Sequence, residues 1–160
     1  MRNKQVETVI LYYHEIPEMV KLLKQEQSEL EDEYNGPRGI VLDGAPHGST
    51  PGNPTATLVE QVDDRNTRDR LEEISVKMQV LVADAAVIRD SIDAVRGKYK
   101  RLIFMRYLHK YSWSRISVEI GVPDSTVRSW CVKAMERLGE ALDDVPMADE
   151  ILGRASRARA

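Results

Sequence analysis

Residues 112–142 read SWSRISVEIGVPDSTVRSWCVKAMERLGEAL, and this stretch decides the fold. Ser112 suits the start of a helix, because its hydroxyl can accept from an otherwise unpaired amide one turn on. Ile116 and Ile120 then stand four apart, on one face. Gly121 follows where the chain must turn with a positive φ, a conformation glycine adopts at least cost. Val122 and Pro123 cross the turn. A second helix begins near Asp124 and Ser125 and sets Val127, Cys131, Ala134, Leu138 and Leu142 along one stripe. Its other face offers Ser125, Arg128, Ser129 and Lys133.

A short polar helix face with one arginine, held out by a compact apolar turn, suits the major groove of DNA. The rival reading is plain packing, since helical domains that never meet DNA also join two amphipathic helices at a glycine. Charge separates the two. From Gly97 to Leu142 there are nine Lys or Arg against four Asp or Glu, a surplus of five. The whole chain carries minus three, so the remainder carries minus eight. Basic charge gathered on one segment of an acidic protein is the electrostatic footprint that a phosphate backbone selects.

The run Arg106-Tyr107, Ser112-Trp113, Ile116-Ser117, Ile120-Gly121-Val122, Ser125-Thr126-Val127 and Ala134 to Leu138 resembles the fourth region of bacterial sigma factors. Within that superfamily it is most similar to the ArpU/RinA-like transcriptional regulators of phages and prophages. The resemblance is fairly specific over the helix-turn-helix and loose over the rest of the chain. It implies a regulator that binds double-stranded DNA, with RNA polymerase as a possible partner. Two positions depart from the pattern. Pro123 stands where the recognition helix usually has a serine N-cap, and Arg115 where an acidic residue is common, so the reciprocal capping box is absent. Asp124 is the natural replacement cap, which would start the helix one residue later.

Upstream of the motif, Gly97 breaks the chain before a helix over about Lys98 to Leu108, whose Leu102, Met105 and Leu108 can pack behind the turn. Three helices around one small core are the minimum that holds a recognition helix rigidly. Farther back lie two long periodic stretches. Val6, Val9, Tyr13, Ile16, Val20, Leu23, Gln27, Leu30 and Tyr34 step by three and four, as do Leu71, Ile74, Met78, Leu81, Ala85, Ile88, Ile92 and Val95. Seams of equal period predict an antiparallel intramolecular hairpin of helices over about 6–34 and 57–95, with a self-associating coiled coil as the competing arrangement. Pro17 should kink the first helix or split it near Ile16, at a local cost of about 3 kcal/mol. Arg65 to Arg70 lacks the seam, so that part of the second helix should be exposed or bend. Between Gly36 and Pro54 lie five of the nine glycines and four of the seven prolines, so a connecting loop over 35–56 is expected, with Thr55 or Thr57 capping the next helix. After Leu142, Asp143 to Pro146 should end the order, leaving Arg154, Arg157 and Arg159 in a frayed tail or a backbone-binding arm.

The remaining composition excludes other chemistry. The single cysteine, Cys131, cannot form an intrachain disulfide and lies on the apolar stripe, which makes it a packing thiol in a reducing cytoplasm. Neither a signal peptide nor a membrane span is apparent. His14, His47 and His109 are isolated, and no glycine run is followed by Gly-Lys-Ser/Thr. No enzyme, metal or cofactor is expected.

The fold expected is therefore all-α: a helical hairpin arm over 1–96, a three-helix DNA-binding domain over 97–145 and a tail over 146–160. Asp124, Ser125, Thr126, Arg128 and Ser129 are the candidate base contacts, with capping the first role for Asp124. Lys133, Arg115, Lys110 and Arg106 are the candidate phosphate contacts, Arg106 competing with internal pairing. Trp113 and Trp130 read as packing residues at the edges of the turn. The leading function is a phage late-gene activator. The alternatives are a small terminase subunit and a coiled-coil interaction module without DNA binding. Partners implied are double-stranded DNA, RNA polymerase, and a second copy through the arm.

Overall fold

The computed structural model describes residues 1–35 and 54–159, with side chains of the second helix described from Asp63 onward. The described residues contain helices and no strand. Helix α1 spans Asn3–Asn35, α2 Pro54–Ala94, α3 Lys98–Ile103, α4 Trp113–Ile120, α5 Asp124–Asp143 and α6 Ala148–Ala158, with a π-helical turn over Phe104–Leu108 after α3. The Gly/Pro-rich loop lies outside the described residues. Helix α2 begins ahead of Thr55 and Thr57, whose side chains are likewise outside them.

These helices fall into two compact units. One comprises Met1–Glu18 with Leu81–Ala160, and the other Met19–Val80. The first draws its core from every helix it contains. Val6, Val9, Ile10 and Ile16 of α1 are buried, as are Leu81, Ile88 and Ile92 of α2, Leu138 and Leu142 of α5, and Ile151 and Ala155 of α6. Each fully buried Val or Ile is worth about 1.5–3 kcal/mol. Four on α1 outweigh the cost of Pro17, and α1 runs unbroken through it rather than splitting. The α1 backbone also comes close to α5. A Cβ on Gly139 would lie 2.9 Å from the carbonyl oxygen of Met1 and 3.1 Å from a Val6 methyl, so the absence of a side chain there admits the start of α1.

Two features depart from expectation. The segment after Pro146 is not frayed: it forms α6, with Ile151 and Ala155 inside the core. Arg154 is what fixes it. Its guanidinium bonds the buried Asp84 carboxylate twice, Nε at 2.8 Å and Nη2 at 2.6 Å, and the Tyr12 hydroxyl donates to the same carboxylate at 2.9 Å. One carboxylate thus joins α1, α2 and α6. Burial and the adjacent Asp84 together push the Tyr12 phenol well above its ordinary range. The second departure is the π turn. His109 N–H reaches the Phe104 carbonyl at 2.8 Å, five residues back, so the helix expected to continue regularly to Leu108 widens at its end.

In the second unit α1 and α2 run antiparallel, since Arg70 bonds Glu26 at 2.6 Å while Arg68 bonds Tyr34, the later α1 residue meeting the earlier α2 residue. Both ends of the Arg70–Glu26 bridge are well exposed, so it sets register more than strength. Ile74 is buried on the seam, Arg65, Arg68 and Arg70 are exposed, and α2 continues through them without a break. No helix among the described residues is long and apolar enough to cross a membrane.

Candidate nucleic-acid interface

Local chemistry positions the turn between α4 and α5. Ser112 caps α4, its Oγ accepting from the Arg115 N–H at 3.2 Å. Gly121 closes α4 at φ 75°, and its N–H and that of Val122 both reach the Ser117 carbonyl, at 2.9 and 3.2 Å. The Ser117 hydroxyl returns a bond to the Val122 carbonyl. Pro123 then stands extended at φ −57° and ψ 148°, a φ the proline ring already holds, and its carbonyl accepts from Thr126 and Val127. The cap of α5 is therefore Pro123, with no side-chain bond. Asp124 does not replace it but occupies the first helical position, where its charge favours the helix dipole.

A small core holds this turn. Leu102, Met105, Ile116, Val127 and Cys131 are buried together, and Tyr111, Trp113, Ile120, Val122 and Trp130 pack against them. Burial pushes the Cys131 thiol up, as suits a packing residue. The Tyr107 phenol is pushed up to about 12 for the same reason, with the Cys131 and Glu7 charges adding to it. Because nothing stands within 4 Å of a Cβ built on Gly121, alanine there meets only the left-handed penalty. We expect Gly121→Ala to destabilise the protein by about 1–2 kcal/mol and Gly121→Asn by less, read by thermal melting.

On the outer side of α5, Ser125, Arg128, Ser129 and Lys133 are exposed, with Asp124 and Thr126 half-buried beside them. Arg128 is not loose. Its Nε donates to the Asp124 carboxylate at 3.1 Å, and its guanidinium carbon lies 5.3 Å from the Trp113 ring centre. Arg115 is exposed and stacks 3.7 Å over Tyr111, while Lys110 is exposed in the turn before α4 at φ 55°. Arg106 differs from the other candidate phosphate contacts. It is half-buried, donates to the Tyr111 carbonyl at 3.0 Å and lies 4.2 Å over Trp113, so internal pairing takes it and it braces the π turn against α4.

Sequence reasoning assigned both tryptophans to packing and missed their second use. Trp113 faces two arginines, and Lys98 sits 3.6 Å over Trp130. Arg137 lies 4.3 Å over Tyr99 in the same way. Such contacts restrain long basic side chains without neutralising them. Part of the basic surplus is balanced locally all the same, through Lys100–Asp93 at 2.7 Å and Arg101–Glu119 at 3.3 Å. Among the described residues no group of His, Cys, Asp or Glu could hold a metal ion.

A buried turn with a glycine hinge and an exposed polar helix is the geometry of a helix-turn-helix. Residues 86–138 match the family model for sigma-70 region 4. This segment is a sigma-70 region 4-like DNA-binding domain. The match begins within α2 and ends within α5, so α1 and α6 lie outside it. No curated protein matches the chain, and no solved structure does. Sigma-70 region 4 is itself a DNA-binding regulatory domain.

Proposed function

We propose that this protein is a sequence-specific transcriptional regulator, a late-gene activator of phage or prophage, that docks α5 in the major groove through its region 4-like domain. The supporting observation is the exposure of Ser125, Arg128 and Ser129 on the first two turns of α5, on a helix whose other side is locked by Val127 and Cys131. These side chains read bases, with Thr126 adding a methyl or hydroxyl contact at the edge. Asp124 orients Arg128 in this reading. Lys133, Arg115 and Lys110 hold phosphates on either side, which fixes register without selecting sequence.

One helix-turn-helix makes few base contacts and binds weakly alone. RNA polymerase, the partner suggested by the likeness to sigma region 4, or a second copy of the chain supplies the remaining affinity by holding the domain at its site. Selection of bound sequences from random DNA, with the mass of the free protein measured in the same buffer, tests the proposal. A recurrent selected sequence with a monomer or dimer mass supports it. A ring-sized oligomer would replace it with terminase-like packaging, and no DNA binding even at low salt would leave an interaction module.

A further inference from the structure

We infer that the first turn of α1 belongs to the DNA-binding face, with Lys4 gripping a backbone phosphate of the duplex beside α5. The inference rests on the DNA-binding reading above and extends the face to residues that neither the helix-turn-helix motif nor the family match includes.

A cavity of about 300 Å³ opens between the start of α1 and the flank of α5. Its walls include Asn3, Lys4 and Glu7 of α1, Trp113 of α4, and Arg128 and Val132 of α5. Lys4 therefore shares a cavity with the arginine best placed to read a base, although more than a hundred residues separate them in the chain. Gly139 makes this possible. Any side chain there would meet the Met1 carbonyl oxygen at 2.9 Å, so glycine is what lets the α1 backbone settle on α5. Val6, fully buried one turn later, fixes the rotation of α1 and leaves Lys4 pointing away from the core.

Lys4 is exposed, and no ion pair engages it among the described residues. The acidic group in the same wall, Glu7, is also exposed and lies three residues farther along α1, so it sits behind Lys4 relative to the helix start. A duplex whose major groove receives the first turns of α5 runs its sugar-phosphate backbone along the flanks of that helix. On the Arg128 flank the ammonium of Lys4 is a cation from outside the matched segment that lines the same cavity. A compact ammonium on a flexible stem suits a phosphate oxygen, which demands charge but no planar geometry.

The test is a fluorescence titration of the full-length protein with a duplex carrying the selected site and with a scrambled duplex, each across a series of salt concentrations. Lys4→Ala should weaken binding several-fold on both duplexes, lower the log–log salt slope by about 0.9, and leave the preference between them unchanged. Lys4→Arg should restore the slope. Lys24→Ala, an exposed lysine of α1 in the other unit, should match the unaltered protein. Wild-type affinity and slope for Lys4→Ala, while the unaltered protein binds, would overturn this inference and leave the proposed function standing. Failure of the unaltered protein to bind any duplex would remove both.

Discussion

Arg154→Ala is expected to destabilise the protein by about 3 kcal/mol, which at this chain length is a fall of roughly 6–12 °C in melting temperature. The size follows from what is left behind. Asp84 is almost wholly inaccessible and receives two of its three hydrogen bonds from Arg154. Without the guanidinium, a buried carboxylate keeps only the Tyr12 hydroxyl. Breaking a buried pair by removing one partner typically costs about 3–5 kcal/mol, and the lower end applies here because the Arg154 side chain keeps about a quarter of its surface in water. The converse change should cost less. In Asp84→Ala the arginine can turn outward to Glu150, which it already approaches at 3.6 Å. The double variant Asp84→Ala/Arg154→Ala should therefore be more stable than Arg154→Ala alone, since no unpaired buried charge remains. A double variant weaker than the single would show that lost packing, not a stranded charge, governs this site. Chemical denaturation of the three variants decides it.

The history of that pair in the sequence shows which parts of a helical fold can be read locally. Gly121, Ser112 and the stripe from Val127 to Leu142 each act within one or two turns, so spacing alone located the helix-turn-helix and its cap. The antiparallel arm was legible for a related reason: two seams of equal period need each other. Asp84 is not legible in the same local way, although it stands three residues after Leu81 and four before Ile88, squarely on the buried face of α2. A charge in a seam position demands a buried partner, and that was the signal available. Its partner lies 70 residues on, in a segment where Asp143 to Pro146 suggests an end and three arginines suggest solvent. Ile151 and Ala155, four apart, were the apolar trace of α6. The π turn left no comparable trace, because widening a helix depends on where Tyr111 and Arg106 must meet rather than on which residues compose it. The start of α5 turned on similar detail. Asp124 looked like a substitute cap, but the proline ring already holds the extended cap conformation, and the carboxylate was freed to face Arg128.

That freedom shapes the second large effect. Arg128→Ala is expected to cut the preference for the selected site over a scrambled duplex by roughly 5- to 150-fold, the loss of one bidentate contact to guanine. Asp124 Oδ2 accepts from Nε at 3.1 Å and lies 3.1 Å from Nη2, which leaves the Nη1 end of the guanidinium directed away from the carboxylate. With Trp113 along its flank, the side chain is partly ordered before it meets DNA, and less rotamer freedom remains to be lost on binding. Arg128→Lys should fail to restore the preference, because an ammonium keeps the charge but not the planar fork. Lys133→Ala should act differently, weakening binding to both duplexes alike and reducing the salt slope by about 0.9. The contrast carries the information. If Arg128→Ala and Lys133→Ala lowered affinity equally on both duplexes, Arg128 would be a phosphate contact and the bases would be read from Ser125 and Ser129. If neither changed binding, the exposed side of α5 would not be the surface that meets DNA.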